Sequence, residues 1–184
     1  MKKKQKKGLR FDLGCGNNKQ KGHKGVDITK KGTQADIEFN LFNYPWTFAK
    51  DNSVESVFAS HFLEHVPHID SYDDHLYHVM DEIHRILKMG GTATFIVPYY
   101  TSMRAFQDPT HQRFIGEASF LYFSKKWRKM NKLEHYPVKC DFEVVNMNHA
   151  ISEEFNGRAQ EAIQYAAMHN WNVVNDIVVT LKKI

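Results

Sequence analysis

Residues 10–28 read RFDLGCGNNKQKGHKGVDI, and this stretch decides how the rest of the chain folds. Leu9, Phe11 and Leu13 alternate with Arg10 and Asp12 before running into Gly14, the pattern of a half-buried strand that ends in a turn. Residues 24–28 read as a second strand carrying an acid, Asp27, near its end. As parallel neighbours, the two strands would let the backbone at Gly14 and Gly16 approach a ligand, with the Asp27 carboxylate beside it. That is the layout of a nucleoside-binding site. Only nine residues separate Gly16 from Val26, and they show no apolar periodicity. A crossover containing a helix needs about a dozen or more, so the first connection is expected to lack one. A dinucleotide fingerprint is disfavoured at the same place, because its third glycine would fall on Lys19 and its acid belongs about twenty residues on.

Working outward, residues 35–39, 54–59, 92–97, 140–147 and 173–181 read as further strands. Ser71 and Asp74 form a capping-box pattern for a helix to about Lys88, with Leu76, Val79, Met80, Ile83, Ile86 and Leu87 as its apolar face and Gly90–Gly91 as its stop. Residues 116–123 predict a short aromatic helix and 158–169 an alanine-rich one. Strands alternating with helices in this way indicate an α/β fold.

Four segments, FDLGCG, GVDI, SHFLEH (60–65) and EIHRILKMGGTATFIVP (82–98), occur in an order that resembles class I S-adenosylmethionine-dependent methyltransferases. The likeness is to the methyltransferase type 11-like branch with a short LNLGCG…NVDI connection and an SHxLEH motif. It implies a Rossmann-like, mostly parallel sheet of up to seven strands with a shortened first crossover. The implied cofactor is S-adenosyl-L-methionine, with Asp12, Gly14, Cys15 and Gly16 on its methionine side. Asp27 and Ile28 would meet the ribose, Asp36 and Ile37 the adenine, and Ser60 and His61 the edge of the site at the fourth strand's end. How the cofactor carboxylate is held without the first helix is left open among Lys19, Lys21, His23 and Lys24.

The acceptor pocket is expected in an insertion at about 99–135. There Asp108-Pro109-Thr110-His111 resembles the DPTH stretch of the same branch. Substrate-binding candidates are His65, Tyr99, Asp108, His111 and Arg113, the arginine for an anionic acceptor. Catalytic candidates are His111 and His61, since imidazole titrates near neutrality and can take a proton. The resulting reading is methyl transfer to an O or N atom of a small-molecule acceptor, with sugars or polysaccharides the acceptor class that the resemblance suggests. Cys15 is small filler in this reading.

Three alternatives stand beside it. A nucleic-acid methyltransferase would use the lysine tail and the basic, Trp-containing run 125–132. A zinc-dependent hydrolase would use His61, Glu64 and His65, because H-x-x-E-H is also an inverted zinc-protease motif. Against it, Pro67 cuts short the helix that motif requires, and the expectation is no metal. A non-catalytic S-adenosylmethionine-binding module is the third.

Length and composition bound these readings. The 184 residues suit one methyltransferase domain over 9–184 behind a flexible basic tail at 1–8. Five of the 25 basic residues lie within positions 2–7, and without them the balance is 20 basic to 21 acidic, so the basic character belongs to the tail. The two cysteines, Cys15 and Cys140, suggest neither a disulfide framework nor a zinc site. No apolar run approaches the roughly 20 residues of a membrane-spanning helix, and no apolar segment follows the charged start as in a signal peptide, so a cytoplasmic location is expected.

Overall fold

The structure is a computed structural model that describes residues 8–70 and 72–184. Positions 1–7 of the basic tail, and Ser71 of the expected capping box, lie outside the described residues. Seven strands, β1 (Leu9–Leu13), β2 (Lys24–Asp27), β3 (Ile37–Glu38), β4 (Val54–Ser60), β5 (Leu87–Pro98), β6 (Phe142–Ile151) and β7 (Val174–Lys183), form one sheet. Its order is β3-β2-β1-β4-β5-β7-β6, with β7 antiparallel to both neighbours and the remaining pairs parallel. The Rossmann-like reading of the sequence is therefore the observed architecture. Strand order reverses between β1 and β4, and such a switch point opens a crevice at the carboxyl ends of the two strands. Residues 10–28 lead directly into it.

The first connection is a chain of turns without a helix. Gly14 N–H donates to Val26 O at 2.8 Å, so the turn after β1 leans directly on β2. Gly14 and Gly16 have φ of +64° and +48°, a region that L side chains rarely adopt.

Helix α1 (His75–Ile86) buries Val79, Met80, Ile83 and Ile86 completely, the face its periodicity specifies. Its N-cap is Asp74, whose Oδ1 accepts from Leu76 N–H at 2.7 Å. The expected stop at Gly90–Gly91 is incorrect: the helix ends at Ile86 and Leu87 turns straight into β5. Groups distant in sequence satisfy its last carbonyls. Asn52 and Ser53 N–H donate to Arg85 O and Ile86 O, and the Lys183 ammonium donates to His84 O at 2.6 Å and Leu87 O at 2.9 Å. Gly90 instead serves a register shift inside β5, at φ +74°.

Helices α2 (Glu117–Leu121) and α3 (Lys125–Met130) follow β5, and α4 (Gln160–His169) joins β6 to β7. Arg128 of the basic run is buried, donating to Tyr122 O and Cys140 O, so one cation of that run is a structural buckle. Among the described residues no helix is long and apolar enough to cross a membrane.

Candidate functional site

At the crevice, Asp12 is buried one residue before the end of β1, opposite Phe58 of β4. Its Oδ2 accepts from Gln20 N–H at 2.6 Å, but burial outweighs that bond and pushes the carboxyl up to about 6. The Asp27 carboxylate adds to the upward push, and the Lys19 ammonium opposes it. A carboxylate held this way gains from a cationic ligand.

Asp27 closes β2, its Oδ2 taking Gly16 N–H and its Oδ1 the following Ile28 N–H, both at 2.8 Å. The acid and the glycine turn are thus one hydrogen-bonded unit. A Cβ on Gly14 would come within 2.8 Å of the Phe62 ring, whereas one on Gly16 would meet nothing within 4 Å. Gly16 therefore faces open space beside Asp27, a cradle suited to a ribose and the chain attached to it. Ile28 follows with a largely exposed apolar side chain. Cys15 is buried, and burial together with Asp12 and Asp27 pushes its thiol up to about 11, which fits filler rather than nucleophile.

Asp36 immediately precedes β3, and Ile37 begins it in register with Val26 and, through Val26, with Leu13 at the end of β1. The Asp36 carboxylate is engaged by Gly25 N–H at 2.8 Å and the Lys19 ammonium at 2.9 Å, and Ile37 pairs with Val26. The Lys19 ammonium is thus committed to Asp36. β3 ends at Glu38, and two residues beyond it Asn40 Oδ1 accepts from Phe42 N–H.

Ser60 ends β4 opposite Ile96, and His61 follows at φ +53° with its N–H on Ile96 O. His61 Nδ1 lies 3.1 Å from Glu64 Oε1, and that contact holds the imidazole above its ordinary range despite partial burial. Glu64 is buried in a single 3₁₀ turn, Leu63–His65, and its Oε2 has no hydrogen-bond partner. The helix that a zinc-protease motif requires is not there, and His61 spends its Nδ1 on the Glu64 side chain. The hydrolase arrangement through His61, Glu64 and His65 is not formed.

The turn at Asp108 to His111 packs onto this one. Gln112 N–H donates to Glu64 O at 2.8 Å, and the His65 and His111 rings meet edge to face at 4.6 Å. With His61, Pro98, Arg104, Gln107 and Asp108 they line a cavity of about 230 Å³. Tyr99, next in the chain to Pro98, is buried with its hydroxyl donating to Glu117 at 2.9 Å, and lines a larger cavity of about 900 Å³ under α4.

Arg113 is elsewhere, and its expected role as an anion ligand is corrected. Its guanidinium donates to Val66 O, Pro67 O and Asp74 Oδ1 and is almost fully buried, so it fastens the loop. The cation in the cavity is Arg104, paired at 2.6 Å with the buried Asp176 of β7. Sequence reasoning missed both. The available signal was Asp176 itself, an acid inside the apolar run at 173–181.

A family described as a methyltransferase domain matches residues 11–95. No curated protein matches. Among solved structures, an S-adenosylmethionine-dependent methyltransferase from Archaeoglobus fulgidus superposes with a TM-score of 0.61 at 18% identity, over 97% of this chain and 87% of its own. Another from Mesorhizobium loti gives 0.54 at 13% identity, over 95% and 90%. Geranyl diphosphate C-methyltransferase from Streptomyces coelicolor, in complex with Mg²⁺, geranyl diphosphate and S-adenosyl-L-homocysteine, gives 0.52 at 13% identity, over 96% and 72%.

Proposed function

We propose that this chain, whose residues 11–95 match a methyltransferase-domain family and whose fold superposes on S-adenosylmethionine-dependent methyltransferases, is itself one, and that it methylates an oxygen or nitrogen of a small acceptor seated between the end of β4 and the turn at Asp108 to His111. The observation that carries this reading is the histidine-lined cavity that begins where β4 leaves the cofactor crevice. S-adenosylmethionine supplies an activated methyl group on its sulfonium. The chain's own work is then to hold, align and deprotonate.

Asp27 accepts from the two ribose hydroxyls beside Gly16, and Asp12 meets the cationic amino group. Ile28 and Asn40 flank the adenine at the ends of β2 and β3. His61 is the proton acceptor: Glu64 takes its Nδ1–H, which leaves the Nε2 lone pair for an acceptor hydroxyl or ammonium. Arg104, His65 and His111 orient the acceptor, and the insertion at about 99–135 supplies most of its pocket. A sugar or a polysaccharide building block is the acceptor class that the family resemblance favours. The basic run on α3 shares no lining residue with the histidine cavity, which weighs against a nucleic-acid acceptor.

The test is a methyl-transfer screen over hydroxyl- and amine-bearing small molecules, sugars first, with polynucleotides as a separate arm. Methylated small molecule and S-adenosylhomocysteine should form together, and His61→Ala should lower kcat by about 10²- to 10⁴-fold without weakening cofactor binding. Transfer confined to polynucleotides, or an unchanged kcat in the variant, would contradict the proposal.

A further inference from the structure

Among the described residues, one group of three potential metal ligands brings its ligand atoms within 4.8 Å of one another: Glu64, His65 and His111. They come from two turns that backbone hydrogen bonding and the Arg113 buckle fasten together. Both histidines are oriented by their other ring nitrogen. His111 Nδ1 lies 3.0 Å from Ala105 O, a group that only accepts, so Nδ1 carries the proton and Nε2 the lone pair. His65 Nδ1 lies 2.9 Å from Thr110 Oγ1. Since Thr110 gives its own proton to Asp108 Oδ1 at 2.7 Å, it accepts from His65, whose Nε2 is likewise left as a lone pair.

Glu64 completes the set. It is 1% exposed, its Oε1 contacts His61, and its Oε2 is buried without a partner. A buried carboxylate oxygen in that state is costly unless it is paired or bound to a metal. Ring nitrogens held by a carbonyl or by a hydroxyl–carboxylate relay are the usual outer support of metal-binding histidines. The sequence had set His61 and His65 together in a zinc-protease pattern; the fold sets His65 beside His111 instead.

We propose that Glu64, His65 and His111 bind a divalent transition-metal ion, Zn²⁺ being the best match, with its open coordination positions facing the cavity and available to an oxygen of the acceptor. Two imidazoles and one carboxylate suit zinc and its first-row neighbours better than Mg²⁺ or Ca²⁺. Bonds of about 2.0–2.2 Å would draw the three ligand atoms together by a small closure of the two turns. Arg104 across the cavity supplies a second positive group, so the acceptor class would carry a hydroxyl beside a carboxylate or phosphate. The acceptor part of this inference rests on reading the cavity as the acceptor pocket; the metal site does not.

The experiment is a calorimetric titration of Zn²⁺ into chelator-treated full-length protein, repeated on His65→Ala, His111→Ala and Glu64→Gln, with the exposed His135→Ala as control. Wild type and His135→Ala should bind one Zn²⁺ per chain, and the other three should lose at least about tenfold in affinity, the scale of removing a metal-site partner. Titration of S-adenosylmethionine into the same proteins reports separately on folding and on the methyltransferase reading. Should a variant fail that check, the visible spectrum of Co²⁺-loaded wild type decides, because a site with two imidazoles and few ligands gives intense bands that hydrated Co²⁺ lacks. Absence of stoichiometric Zn²⁺ in wild type, equal binding by folded His65→Ala and His111→Ala, or a Co²⁺ spectrum like that of the hydrated ion would overturn the proposal.

Discussion

Asp12 is the residue whose chemistry is most altered by its position. With its carboxyl pushed up to about 6 by burial and by Asp27, against Lys19 and the Gln20 N–H, it is largely neutral at pH 5 and ionised at pH 7. Because the folded pKa is above the ordinary 3.8, its contribution to stability is greatest at low pH and is lost as pH rises through about 6. A cationic amino group reverses that effect, since it favours the ionised form. The cofactor's α-amino group stays protonated below about pH 7.7, so S-adenosylmethionine affinity should rise roughly tenfold from pH 5 to pH 7. Asp12→Asn should bind more weakly with a flat profile. A flat wild-type profile would remove Asp12 from the amino-group contact. Asp12, Gly14, Gly16 and Asp27 were legible in the sequence because a short turn between adjacent strands keeps them together whatever the distant chain does. Arg113 and Arg104 were not, since either could reach an anion in sequence terms, and only tertiary contact shows which guanidinium is already spent on Val66, Pro67 and Asp74.

The elements follow their periodicity closely in the interior and depart from it at their ends. Helix α1 buries the stripe that its spacing specifies, yet it stops four residues before the glycine that was expected to stop it. Local signals cannot show that Asn52, Ser53 and Lys183 will cover its last carbonyls, because two of these come from the loop before β4 and the third from the last strand. Lys183→Met keeps most of the side-chain stem but strands His84 O and Leu87 O in a buried setting. The variant should lose about 2–6 kcal/mol in denaturant unfolding, from about 1–3 kcal/mol for each of the two unsatisfied carbonyls, with an unchanged m-value. A loss below about 0.5 kcal/mol would show that water replaces the ammonium. Strand β3 is likewise shorter than its apolar alternation suggests, two residues instead of the five at 35–39, with the Asp36 carboxylate accepting from Gly25 N–H just before it.

At the scale of the whole molecule, seven strands read from the sequence assemble in an order that reverses between β1 and β4, and that reversal makes the crevice. The crevice itself was legible because it is lined from one short stretch, residues 12–27, at this switch point. The acceptor side was only partly so, since His61, Arg104, His111 and Asp176 span more than half of the chain and meet through β5–β7 pairing and two fastened turns. The proposed function makes one demand: a nucleoside cofactor sits against Gly16 and Asp27 at the reversal. Titration calorimetry of S-adenosylmethionine and S-adenosylhomocysteine into wild type and Asp27→Ala tests it directly. Wild type should bind each with one site per chain, and Asp27→Ala should bind about 10- to 100-fold more weakly, the loss of charged hydrogen bonds worth about 1.5–3 kcal/mol. No binding by wild type, or equal binding by the variant, would contradict the account.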